Sequence, residues 1–339
     1  MPTPISQYGE FGLIDHLTQN TQHYQHSTIK GIGDDCAVLN HEGKQTIVTT
    51  DLLLEGIHFD LMYTPLKHLG YKAVVVNLSD IYAMNATPQQ ITVSIGVSAR
   101  FSVEALEALY DGIHTACKYY QVDLVGGDTS SSLTGLCISI TAIGTADSQH
   151  IVYRNGAKVG DIVCVSGDLG AAFVGLQLLE REKKMYLENP NIQPDLEQQQ
   201  YVVGRLLKPE ARRDIIALLQ SHQIQPTAMI DVSDGLSSEL LHICRQSKVG
   251  CRIYENQLPM HPDTQQLSFR FNMVPTTCAL NGGEDYELLF TVSPQHIDIL
   301  EELDTFSIIG DIVAAEEGCI LISENNKPYP LVAQGWQHA

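Results

Sequence analysis

Apolar, β-branched runs that close on a small residue and an aspartate recur along the chain and organise it. QTIVTT leads to Asp51, QVDLV to Gly126-Gly127-Asp128, and TAMI to Asp231-Val232-Ser233-Asp234-Gly235. Each reads as a strand whose C-terminal end presents a carboxylate on a turn. Between the first two lie helical patterns, 66–84 and 103–120, so the first half alternates strand and helix, an α/β signature. After the strand CISITAIGTA comes the polar stretch YRNGAKVGD, 153–161, and then a new strand, DIVCVSG, entering an apolar helix through Gly167-Asp168-Leu169-Gly170. The boundary is therefore placed at about 145–160, giving an N-terminal α/β domain over 1–150 and a second domain over 151–339. Residues 188–200, rich in Gln, Asn and Pro, predict an exposed connection.

Composition narrows the function classes. The 339 residues, 44 % of them hydrophobic, suffice for two cores. Forty acidic residues against 20 basic ones give a formal charge of -20, which argues against binding nucleic acid or an anionic membrane, since both need clustered Lys and Arg. No apolar run approaches the roughly 18 to 20 residues of a membrane span, and no basic-then-apolar start is seen, so a cytoplasmic protein is expected. The eight cysteines are scattered without a C-x-x-C pair. They are read as reduced and packed, with neither a disulfide framework nor a zinc site.

The acidic turns carry the candidate chemistry. They are Asp34-Asp35 within GIGDDCAVL, Thr49-Thr50-Asp51, Gly126-Gly127-Asp128, Asp231-Val232-Ser233-Asp234 and Gly282-Gly283-Glu284-Asp285, with Asp80 inside the helical stretch VVVNLSDIYAM. Carboxylates and hydroxyls are hard oxygen ligands suited to Mg2+ or Mn2+, and divalent ions would relieve the repulsion between Asp34 and Asp35. Singly, each Asp after Gly or Ser reads equally as a turn former or helix cap, and Asp234-Gly235 before LSSELLHIC is the clearest cap. Asp80 differs, because a carboxylate on an apolar helix needs a partner. A metal-lined acidic cleft points to phosphate chemistry. The chain has no G-x-x-x-x-G-K-S/T loop, and GIGDDC has Cys36 where a dinucleotide fingerprint needs its third glycine. Metals and backbone amides would then carry phosphate recognition, with Arg154 and Lys158 as supplementary positive charge.

The blocks GEFGLID (9–15), GIGDDCAVL (31–39), TTDLLLEGIHF (49–59), GYKAVVVNLSDIYAMNATP (70–88), VGGDT (125–129), YRNGAKVGD (153–161), IDVSDGL (230–236), GGEDYELLF (282–290) and a closing GW (335–336) together resemble the thiamine-monophosphate kinase family. They occur in the family's order and cover essentially the whole chain. The resemblance implies the aminoimidazole-ribonucleotide synthetase-like fold, α/β plus α+β, with an N-terminal α/β domain that binds ATP and Mg2+ and forms a homodimer through a barrel-like interface between sheets, and a C-terminal α+β domain over 151–339. It implies ATP-dependent phosphorylation of thiamine monophosphate by direct in-line transfer with several Mg2+ ions. It assigns Asp34, Asp35, Thr49, Thr50, Asp51, Asp80, Asp128, Asp231 and Asp234 to the metals. Gly127, Asp128, Arg154, Ser233 and Tyr110 fall to the nucleotide, and His58, Glu284 and Trp336, the one tryptophan, to the substrate. An indole face suits a thiazolium or pyrimidine ring; a packed C-terminal anchor is the competing reading. For His58 the competing reading is a buried structural imidazole. Ala171-Ala172 stand where related sequences often carry Asp-Ser, so no ligand is assigned there.

The enzyme alternatives are superfamily relatives: aminoimidazole ribonucleotide synthetase, selenophosphate synthetase and the hydrogenase-maturation dehydratase. Selenophosphate synthetase and the hydrogenase-maturation dehydratase need a reactive cysteine or selenocysteine in a tail, whereas this chain first shows Cys36 inside the acidic turn and ends GWQHA. A non-catalytic acidic metal-binding scaffold would explain the carboxylates but not His58, Arg154 and Trp336; nucleotide turnover separates the two.

Overall fold

The computed structural model describes residues 16–30, 38–191, 193–194 and 196–334. The chain divides into two compact units, Met1–Ile81 with Ala86–Gln149, and Tyr82–Asn85 with His150–Ala339.

In the first unit a short pair, β1 (Thr28–Lys30) and β2 (Val38–Leu39), precedes β3 (Gln45–Leu54), α1 (Leu66–Ala83), β4 (Thr87–Val97), α2 (Val103–Tyr120), β5 (Asp123–Ser131) and β6 (Cys137–Ala146). The sheet order is β3-β6-β4-β5. β6 pairs antiparallel with both β3 and β4, while β4 and β5 are parallel, a pairing that needs the crossover α2 supplies. α2 follows from its sequence: Ser102 caps it by accepting from Ala105 N at 3.3 Å, and Leu106, Leu109, Ile113, Ala116, Cys117 and Tyr120 form one buried stripe. α1 is buried over nearly its whole length from Leu69 to Ser79, as expected of a helix that is apolar on all sides.

The strand ends differ from the sequence expectation at two places. β3 continues three residues past Asp51, and β5 three past Asp128, so both aspartates lie within strands and not on terminal turns. The ladders hold them there: Asp51 to Leu54 pair with Ile140 to Cys137, and Asp128 to Ser131 with Ser94 to Val97. Cross-strand partners override the low β-propensity of Gly and Asp on which the expectation rested.

The second unit contains β7 (Ile162–Ser166), α3 (Ala171–Glu188), α4 (Gln200–Leu207), α5 (Arg213–Ser221), β8 (Ala228–Asp231), α6 (Leu236–Ser247), β9 (Gly250–Tyr254), α7 (Pro262–Arg270), α8 (Pro275–Asn281), β10 (Leu288–Val292), α9 (Ile297–Glu301), β11 (Phe306–Val313), β12 (Cys319–Ile322) and β13 (Pro328–Pro330). Its seven strands run β13-β12-β9-β11-β7-β10-β8 and are antiparallel except for β12 on β9. One core joins α6 to this sheet through Leu236, Leu240, Ile243, Val165, Ile230 and Leu289; a second lies among α3, α4, α7 and α8. β8 does end at Asp231, and the segment between α3 and α4 is largely exposed where described. Among the described residues, no helix is long and apolar enough to cross a membrane.

Candidate active site

In the first unit, β3 and α1 are joined by polar groups drawn from both. Residues two apart on a strand and three apart on a helix share a face, which pairs Thr49 with Asp51 and Asn77 with Asp80. Thr49 Oγ1 donates to Asp80 Oδ2 at 2.5 Å, and Asp51 N donates to Asn77 Oδ1 at 3.0 Å. Asp80 thus has the partner its helix demands. Thr50, one residue out of phase, faces the other side of the sheet, where its hydroxyl donates to Ile140 O and accepts from Thr141 Oγ1, both at 3.1 Å. Thr49 and Asp80 are brought together; the Thr50 hydroxyl is not among them.

Four further assigned residues lie in this unit. Gly127 and Asp128 are exposed on β5. A Cβ at Gly127 would sit 1.8 Å from Val93 O, so glycine is required for the strand approach that presents Asp128. His58 accepts from Leu54 N through Nδ1 at 3.0 Å, which leaves the proton on Nε2 and makes that atom a donor. Tyr110 is only 7 % exposed on the core side of α2, and burial pushes its hydroxyl up to about 12. Buried Asp123 accepts from Thr28 Oγ1 at 2.5 Å and from the amides of Tyr24 and Gln25, fixing β1. Asp34 and Asp35, which follow β1 in sequence, and Trp336 lie outside the described residues.

In the second unit two acidic loops are stitched together by backbone. Val232 N donates to Glu287 O at 2.7 Å, Tyr286 N to Val232 O at 2.8 Å and Glu284 N to Ser233 O at 2.7 Å. A Cβ at Gly283 would lie 2.5 Å from Ser233 O, and both Glu284 and Tyr286 adopt the left-handed conformation at φ 69° and 53°. Non-glycine residues there are strained, a cost that persists where surrounding structure over-determines the conformation. The stitching brings Asp231, Ser233, Asp234, Glu284 and Asp285 into one loop pair. Arg154 is exposed and makes no ion pair among the described residues.

Asp234 is not the helix cap that its sequence suggests. Gly235 occupies the N-cap of α6 without a side-chain cap bond, and Glu239 reaches back so that its Oε1 accepts from Asp234 N at 2.8 Å. Capping from inside the helix releases the Asp234 side chain for other work. Burial pushes the Glu239 carboxyl up to about 7, partly offset by that Asp234 N–H.

Behind the loop pair sits a charge network that the sequence reading missed. Glu287, 1 % exposed, accepts from Ser166 Oγ at 2.6 Å and from Arg205 Nη2 at 2.8 Å, and also pairs with Arg212. Arg205 also donates to the carbonyls of Asp168 and Asp285 at 3.1 and 3.3 Å. Glu287 stands in the block GGEDYELLF and Asp168 in the turn Gly167-Asp168-Leu169-Gly170 between a strand and a helix, but no motif marks either arginine. Asp168 Oδ1, Glu239 Oε2 and Asp285 Oδ1 are buried with no hydrogen-bond partner among the described residues.

Asp285 accepts from Gly170 N at 2.8 Å, yet burial pushes its carboxyl up to about 8 against the opposing pull of Arg205 and that amide. An acid whose folded pKa exceeds its unfolded value of 3.8 binds more protons when folded, so its contribution to stability declines as pH rises from about 4 to 8. In chelator, wild-type stability should therefore fall relative to Asp285→Asn by up to ~1.4 kcal/mol per pH unit across that window. Urea midpoints of both proteins at pH 5, 6, 7 and 8, each pH a chosen condition about one unit apart, check this; parallel curves would remove the buried-acid assignment.

The donor set fits a hard divalent cation, since the assigned side-chain ligands offer oxygen alone, and buried carboxylate oxygens without a partner among the described residues, at Asp285 and Glu239, lie beside the assigned Glu284 and Asp234 and are not themselves assigned ligands. Among the described residues no three assigned carboxylates converge within 4.8 Å of one another. That suits Mg2+, which keeps waters and takes one or two carboxylates plus substrate phosphates.

Residues 33–146 match the AIR synthase related protein, N-terminal domain, and residues 158–322 the AIR synthase related protein, C-terminal domain. The chain is 38 % identical over 295 residues to thiamine-monophosphate kinase of Bacillus subtilis (strain 168), covering 86 % of each. It is 34 % identical over 334 residues to thiamine-monophosphate kinase of Aquifex aeolicus (strain VF5), covering 98 % of this chain and 99 % of that one. The solved structure of AaThiL complexed with AMPPCP and TMP is 31 % identical, with a TM-score of 0.75 over 99 % of this chain and 98 % of the other.

Proposed function

Because the chain belongs to the thiamine-monophosphate kinase family, with the two-domain fold of the AIR synthase related proteins, we propose that it phosphorylates thiamine monophosphate with ATP, giving ADP and thiamine diphosphate. This is the final step of thiamine diphosphate biosynthesis. The observation that carries the reading is the near-full-length likeness to AaThiL, solved with AMPPCP and TMP, an ATP analogue and an acceptor monophosphate.

The acceptor phosphate attacks the γ-phosphorus of ATP in line; a new P–O bond forms as the bond to the ADP oxygen breaks. A phosphate monoester is already anionic near neutral pH, so positioning and charge neutralisation dominate over general-base help. Mg2+ ions, when bound, supply the charge neutralisation on the phosphates. In the first unit Asp34, Asp35, Thr49, Asp51, Asp80 and Asp128 would hold such ions, the Thr50 hydroxyl being turned to the other face of β3; in the second unit Asp231 and Asp234 would do so, the latter released by the Glu239 cap. Gly127, Asp128 and Ser233 serve the nucleotide, Tyr110 being taken up in the core under α2, and the exposed Arg154 guanidinium offers phosphate a positive charge. On the substrate side stand the Nε2–H of His58, Glu284 beside the Tyr286 hydroxyl at 3.3 Å, and Trp336.

The same reading makes the chain a homodimer. β3 is an edge strand of its sheet, and its outer face carries Thr46, Val48, Thr50 and Leu52, with Val48 61 % and Leu52 50 % exposed. A second copy closing over this face as a barrel would cover them. The seven described cysteines are free thiols, which suits a reducing compartment, and we place the enzyme in the cytoplasm.

The experiment is transfer from ATP made chiral at its γ-phosphorus by oxygen isotopes. The terminal phosphate of the thiamine diphosphate formed should have inverted configuration. Retention, or a trapped phosphoprotein, would refute direct transfer, and absence of labelled thiamine diphosphate would refute the activity.

A further inference from the structure

Seven of the eight cysteines lie among the described residues, all as free thiols, and three of them converge. Cys244, Cys251 and Cys319 place their Sγ atoms within 4.8 Å of one another. They come from three separate elements of the second unit: the last turns of α6, the second residue of β9 and the first residue of β12. The backbone fixes each of them. Cys244 O accepts from Val249 N at 3.0 Å, Cys251 N donates to Gly318 O at 3.1 Å and Cys319 O accepts from Leu331 N at 2.9 Å. The parallel register sets Cys251 directly beside Cys319.

We propose that Cys244, Cys251 and Cys319 form a binding site for one thiophilic metal ion of the zinc and copper(I) class. Three sulfurs about 2.3 Å from a common centre lie about 4 Å apart in a trigonal arrangement, which the observed convergence accommodates with small side-chain movements. Thiolate donors select soft ions over Mg2+, so this site would not compete for the metal of phosphoryl transfer. Buried cysteines ordinarily behave as small apolar residues, as Cys117 and Cys164 do here. Packing alone does not require three of them, from three separate elements, to share a centre. Cys244 and Cys251 are fully buried while Cys319 is partly exposed, so the cluster has a covered floor and an approach from one side.

The ion would act on stability. Cys244 lies near the C-terminal end of α6, whose N-terminal end follows Asp234, and the 12-residue helix between is about 18 Å long. A bound ion ties the end of α6 to β9 and β12, and whatever binds only the folded chain stabilises it.

The test is titration of the full-length, reduced, metal-free protein with Cd2+, following thiolate-to-metal charge-transfer absorption, and with Zn2+, following the melting temperature. The wild type should develop the band to saturation at one equivalent and melt higher with Zn2+. Cys137→Ser, outside the cluster, should behave identically. Cys319→Ser, at the least buried position, should fold and lose affinity by about 100-fold or more, and Cys251→Ala should do the same. Absence of the band in the wild type, or an unchanged band in both cluster variants, overturns the proposal. If Cys251→Ala does not fold, Cys319→Ser alone decides it. Neither titration involves ATP or thiamine monophosphate, so the outcome is independent of the kinase reading.

Discussion

Replacing Asp80 with asparagine should all but abolish turnover, to roughly a thousandth of the wild type, and leave the protein folded. Asp80 lies on α1, which is buried on nearly every side, and its Oδ2 accepts the Thr49 hydroxyl at 2.5 Å across to β3. An asparagine carbonyl can accept that same hydrogen bond, and the neighbouring brace from Asp51 N to Asn77 Oδ1 is untouched. The substitution removes the negative charge, and with it the ligand for Mg2+ that the proposed function assigns to this position. Charge stabilisation of the transferring phosphoryl group is worth several kcal/mol, so kcat should drop by roughly 10³-fold, with the melting temperature within a few degrees of the wild type. Excess Mg2+ should restore only part of the loss. Steady-state kinetics over a Mg2+ series, with a melting curve on the same sample, make the check. Wild-type turnover with ordinary metal dependence would remove Asp80 from the metal shell.

Glu287→Gln should destabilise the protein severely. Glu287 is buried between Arg205 and Arg212, whose side chains are 16 % and 14 % exposed, so water screens the three charges little. Removing one partner of a buried ion pair leaves uncompensated charge, at about 3 to 5 kcal/mol. The upper end applies to Arg205, because Arg212 keeps Asp214 at 2.7 Å. Glutamine preserves shape and the bond from Ser166, so a large effect would report charge and not a cavity. Urea unfolding should show a lowered midpoint at unchanged slope. A loss below about 1 kcal/mol would mean that solvent reaches the network and that it does not hold the 283–287 loop.

Much of the fold was legible because it rests on local pattern. The helix at Val103–Tyr120 and the strands at Cys137–Ala146 and Ala228–Asp231 follow from apolar spacing and turn residues. The extension of β3 and β5 past their aspartates was not legible, since it is set by partners on β6 and β4 far away in sequence. The same holds within the site. Asp80 announced itself as a carboxylate on an apolar helix. Asp234 was read as a cap because nothing local reveals that Glu239 turns back to take that role. Arg205 and Arg212 carry no motif and acquire meaning only when folding brings them to Glu287. The three cysteines, separated by up to 75 positions from Cys244 to Cys319, were read as scattered for the same reason.

The most direct test of the central claim is to incubate the purified protein with ATP, Mg2+ and thiamine monophosphate and to follow the phosphorus resonances over time. The account predicts ADP and thiamine diphosphate appearing in equal amounts as both substrates disappear. Inorganic phosphate released while thiamine monophosphate stays unchanged would contradict it and move the chain to another reaction of the superfamily.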